Sequence, residues 1–172
     1  DVLWSRRTPG GTPASPSDMW SDPSYGGVEM GYYGNYLGGS GNNAWTAMTW
    51  NTKVKSRVYA LLDALADRYD NDPDIAFVLL LEETTSGATV ADDPGYTCAG
   101  DIQAIKDIFT HAWSVFPNTP VFMELDWACT DIPTALHQFV LDGGHGAWTI
   151  DTRPCVAELD QNGYSLIRNH YD

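Results

Sequence analysis

The stretch Ile75-Ala76-Phe77-Val78-Leu79-Leu80-Leu81-Glu82-Glu83 decides how this chain is read. Seven consecutive apolar residues predict a strand buried on both faces, as strands of parallel sheets are. Two acids follow with no spacer. In α/β folds with parallel strands, ligands and chemistry collect at the carboxyl ends of the strands. The acidic pair therefore marks a candidate active site. A solvated acidic start to a loop is the plainer alternative.

Upstream of the stretch, Asn51 or Thr52 can cap a helix. Val54, Val58, Leu61, Leu62, Leu65 and Tyr69 then recur at helical spacing, with Lys53, Lys55, Arg57, Asp63 and Asp67 on the other side. Pro73 blocks continuation of that helix. Downstream, a loop punctuated by Gly, Asp and Pro runs from Thr84 to Gly100. A second helix is expected from Gly100 or Asp101, with Ile102, Ile105, Ile108, Phe109, Ala112 and Trp113 inward and Pro117 as its stop. Val121 to Trp127 reads as the next strand. Asp131 is set to cap a third helix, which carries Pro133 in its first turn and ends at Gly143-Gly144. Ala147 to Ile150 reads as a third strand, and a weaker helical segment covers about Val156 to Tyr171. Alternating helices and strands predict an α/β fold with parallel strands joined by right-handed crossovers. Each strand runs into an acid at its carboxyl end: Glu82 or Glu83, Asp126, Asp151.

Residues 1–50 are expected to be loop-rich, and residues 51–172 regular, within a single domain. The first part is dense in Gly, Pro, Ser and aromatic residues. Val2 to Trp4 reads as the end of a strand, and Thr8 to Asn43 as a large loop over one face. Long loops are uncommon unless functional, and aromatics such as Trp20, Tyr25, Tyr32 and Trp45 imply that this one packs on something.

The 172 residues suffice for one well-cored domain but are short of the roughly 250 of a complete (β/α)8 barrel. A net charge of −14 argues against nucleic acid as a partner, since phosphate demands a basic face. It fits a soluble surface in a salty or extracellular setting. No apolar run approaches the ~20 residues of a membrane span. The chain opens on Asp1 with no visible signal peptide, so the expectation is a processed chain or a section of a longer one. Three cysteines, Cys98, Cys129 and Cys155, are too widely spaced for a CxxC metal site. One disulfide with a free thiol and three buried thiols both remain open at this point.

No phosphate-binding loop, dinucleotide fingerprint, GxSxG elbow or HExxH helix occurs. The histidines are scattered, and His111 and His137 read as helix-surface or packing groups. Carboxylate chemistry remains. Glycoside hydrolysis commonly uses two carboxyl groups flanking the scissile bond, one of them kept protonated by its surroundings. Adjacent strand residues point to opposite faces, so one of Glu82 and Glu83 enters the site. No cofactor is implied. The same acids offer a competing metal site, in which Glu83, Asp126 and Asp151 hold a hard cation such as Mg2+ or Ca2+.

From Trp50-Asn51-Thr52-Lys53-Val54, through Leu65-Ala66-Asp67-Arg68-Tyr69-Asp70 and Asp72-Pro73-Asp74-Ile75, to Glu82-Glu83-Thr84, the chain resembles the third-helix and fourth-strand region of retaining (β/α)8 glycoside hydrolases. These belong to the clan of cellulases and β-galactosidases. The resemblance covers roughly Trp50 to Arg153. It implies a partial or reduced TIM-type barrel in which Ile75–Leu81 is the fourth strand, Val121–Asp126 the fifth and Ala147–Ile150 the sixth. Val2–Trp4 would be the end of the second or third. Carried over, Glu83 is the general acid/base, and Glu82 stands where the clan has a sugar-contacting Asn. On this reading Glu82, Glu124, Asp126 and Asp151 are candidate supporting acids that bind substrate, and Trp127 and Trp148 candidate sugar platforms. The clan's nucleophile, a Glu on the seventh strand, has no counterpart in these residues. All three cysteines would fall in loops after strands, making Cys129 with Cys98 or Cys155 a candidate disulfide of a secreted protein.

The first expectation is thus an extracellular glycoside hydrolase-like protein acting on a poly- or oligosaccharide. A non-catalytic carbohydrate-binding or structural protein is the second, and a metal-dependent hydrolase the third. The oligomeric state has no signature in the sequence.

Overall fold

The computed structural model describes residues 4–6, 16–25, 28–33, 42–47, 49–80, 95–124 and 132–148. Two sheets form. The first is antiparallel and has the order β1-β3-β2, with β1 Trp4–Arg6, β2 Val28–Tyr33 and β3 Asn42–Ala47. The second is parallel and has the order β4-β5-β6, with β4 Val78–Leu80, β5 Val121–Glu124 and β6 Ala147–Trp148.

This architecture overturns the expected partial or reduced (β/α)8 barrel. A barrel needs parallel strands closed in a ring. Among the described residues the parallel sheet has three strands. The strand expected to be an earlier barrel stave lies in the separate antiparallel sheet, where Trp4 pairs with Thr46 and Arg6 with Ala44. The expected aromatic N-terminal loop is corrected too. Val28 pairs with Ala47 and Tyr33 with Asn42 in a two-stranded ladder. Tyr, Trp, Thr and Val suit a pleated surface, and Tyr32, Tyr33 and Trp45 of the aromatic-rich part lie in these strands. Before β2 come α1, Ser17–Ser21, and a single 3-10 turn, Pro23–Tyr25.

Three longer helices build the core. In α2, Thr52–Tyr69, the Asn51 side chain caps the start by accepting from the N–H groups of Lys53 (2.8 Å) and Val54 (3.3 Å). Val54, Val58, Leu62 and Ala66 form its buried stripe. In α3, Cys98–Val115, the buried stripe is Ala104, Ile105, Ile108, Phe109 and Ala112. In α4, Ile132–Asp142, Leu136 and Val140 are buried. The helix ends in a Schellman motif. Gly144 takes φ +70, His145 N–H donates to Val140 O (3.0 Å), and Gly144 N–H to Leu141 O (3.0 Å). No helix among the described residues is long and apolar enough to cross a membrane.

The connections β4-α3-β5 and β5-α4-β6 join neighbouring strands in sequence order. Both connecting helices pack on one face of the sheet, with Ile105, Ile108, Phe109, Leu136 and Val140 in one cluster with Val121 and Met123. Val121 and Met123 are buried on that face, and Val78 and Leu80 pack against the same cluster. The other side differs from expectation. Phe77 and Leu79 are 44% and 37% exposed, so the stretch that opened the sequence reading is covered on one face rather than two. Phe77 meets Phe122 edge-to-face, with centroids 5.6 Å apart. A Cβ at Gly146 would run into the Phe122 ring, which explains a glycine just before β6.

At the amino ends of the strands, Asp70 ties two turns together. Its carboxylate accepts from the N–H groups of Thr119 (2.9 Å) and Asn118 (3.1 Å) and from the Asn118 side-chain amide (2.7 Å). The Thr119 hydroxyl donates back to Asp70 O (2.9 Å). This pins the exit of α2 to the entry of β5.

Candidate functional site at the carboxyl edge of the parallel sheet

Parallel pairing fixes one edge of the sheet as chemically distinct. Leu80 of β4 pairs with Met123 of β5, and Met123 with Ala147 of β6. The described parts of β5 and β6 therefore finish level with each other, and that of β4 one residue short of them. Glu124, the last residue of the central strand, is the register partner of Trp148. The structure thus brings together one expected acid and one expected sugar platform on neighbouring strands. Glu82, Glu83, Asp126, Trp127 and Asp151 lie outside the described residues, as do Cys129, Cys155 and the expected last helical segment. Glu83 is three residues beyond Leu80, Asp126 two beyond Glu124, and Asp151 three beyond Trp148.

Helices α2 and α3 both run antiparallel to the strands, so their amino termini stand at this same edge. There the Thr97 hydroxyl caps α3 by accepting from Gly100 N–H at 3.0 Å. One turn in, Asp101 is fully buried. The Thr49 hydroxyl approaches Asp101 Oδ1 at 3.5 Å, and the Asp101 carboxyl is close enough to the Tyr96 phenol to act on its ionisation. Burial above all, then the charge and hydrogen bond of Asp101, push the Tyr96 hydroxyl up to about 12. Trp50 meets Tyr96 edge-to-face at 5.0 Å. A buried carboxyl with phenol and hydroxyl neighbours thus stands behind the edge, linking the residues before α2 to the start of α3.

In the sequence Asp101 marks only a helix start, because an acid in a first turn ordinarily caps or complements the helix dipole. The available signal was its spacing from Ile105, Ile108 and Ala112, which puts Asp101 on the buried stripe of α3.

Cys98, in the first turn of α3, is disulfide-bonded. The other two cysteines, and with them the choice of pairing, lie outside the described residues.

The described histidines sit in packing positions. His111 stacks on Tyr59 at 4.1 Å and pairs with Asp63 at 2.8 Å, joining α3 to α2. His137 is buried in α4. His145 stacks on Trp113 at 3.7 Å beside the α4–β6 turn, and burial lowers its pKa. Among the described residues no group of three or more His, Cys, Asp or Glu is arranged to hold a metal ion. The three acids of the competing metal reading are outside them.

No family model matches this chain, and neither a curated protein nor a solved structure matches it.

Proposed function

We propose that the protein cleaves glycosidic bonds of a poly- or oligosaccharide at the carboxyl edge of β4-β5-β6, with Glu83 as general acid/base. One observation carries the reading: the parallel register brings the ends of three strands to within one residue of level, and each runs within three residues into a carboxylate. Parallel α/β sheets bind ligands at this edge. Each of these acids is within three residues of a strand end, a reach of at most about 11 Å. That suits a reaction needing two carboxyl groups about 5–9.5 Å apart.

In this chemistry Glu83 gives its proton to the leaving glycosidic oxygen as a water, deprotonated by an ionised second carboxylate, bonds to the anomeric carbon. Glu124, at the end of the central strand, and Asp126, two residues further along the sequence, are the candidates for that carboxylate. Trp148, register partner of Glu124, would offer an apolar surface to a sugar ring. An exported, oxidising setting agrees with the engaged Cys98 thiol and the acidic composition.

The test is reducing-sugar release by the intact protein from a panel of neutral polysaccharides. On a responsive substrate, Glu83→Gln should lower kcat by about 10²–10⁴-fold, the usual contribution of general acid–base catalysis. Unchanged turnover in that variant would remove Glu83 from the mechanism. Glycan binding by the intact protein with no turnover on any substrate would replace hydrolysis with a binding role. Turnover abolished by chelation and restored by a divalent ion would move the acids to metal ligation.

A further inference from the structure

We draw no further inference here: the strongest candidate, the apolar patch of Phe77 and Leu79 beside Phe122 on the face of the parallel sheet away from the helices, carries nothing because nothing in the structure shows what covers it.

Discussion

Two single residues in this protein convert proton binding into stability. Burial alone would raise the carboxyl of Asp70, but the hydrogen bonds from Thr119 and Asn118 outweigh it and hold the group below the ordinary carboxylate value. An unfolded Asp70 therefore binds a proton more readily than the folded one. Its stabilisation is complete above the ordinary value near 4 and is lost as pH falls through the depressed folded value. Denaturation midpoints of the parent and Asp70→Asn, followed from pH 6 to pH 2, should differ at the upper end and converge at the lower. A gap of constant size down to pH 2 would mean that the carboxylate charge contributes nothing. Tyr96 works in the opposite sense. Its folded value of about 12 lies above the ordinary value near 10, so its contribution is complete below pH 10 and lost on approach to pH 12. Absorbance titration of phenolate should show a late-ionising tyrosine that is missing from Tyr96→Phe. Ionisation of every tyrosine near pH 10 would count against the buried link to Asp101.

The helices were legible in the sequence and the strands only in part, for physical reasons visible in particular elements. Helix α2 announces itself through the Asn51 cap and the Val54-Val58-Leu62 stripe, both local signals. The start of α3 was expected at Gly100 or Asp101 and lies at Cys98, because the Thr97 hydroxyl takes the Gly100 N–H. Thr97→Ala should therefore cost about 1 kcal/mol, typical of a lost N-cap, with Thr97→Ser keeping most of it in urea denaturation. A loss in Thr97→Ser equal to that in Thr97→Ala would separate the effect from the hydroxyl. The ladder of β2 with β3 escaped the sequence reading. Gly31, Asn42, Asn43 and Ala47 are poor strand formers, and the pairing partners are up to nineteen positions apart. The apolar run before Glu82 failed differently. A uniform run carries no alternation, so nothing local separates a strand covered on one face from a strand covered on two. At the candidate site, Glu124 and Trp148 were each named from the sequence, but their pairing depends on register, which sequence spacing does not encode.

At the scale of the whole molecule, finding a three-stranded parallel sheet among the described residues in place of a barrel has a measurable consequence. A closed barrel would bury the face of β4 that carries Phe77 and Leu79, since barrel interiors are packed with side chains. Here that face is exposed, and the core lies between the other face and the helices α2, α3 and α4. Two truncations on the same sheet should therefore differ sharply. Met123→Ala removes a side chain with 0% exposure from the centre of the core and should cost about 2–5 kcal/mol. Phe77→Ser gives up part of an exposed ring and its edge-to-face contact with Phe122, the latter worth about 0.5–1.5 kcal/mol. It should leave the denaturation midpoint much closer to that of the parent. The comparison is internal to one sheet, so errors in extrapolating to zero denaturant fall on both variants alike. If Phe77→Ser proved as damaging as Met123→Ala, the open face would be part of a core and the sheet would be covered on both sides.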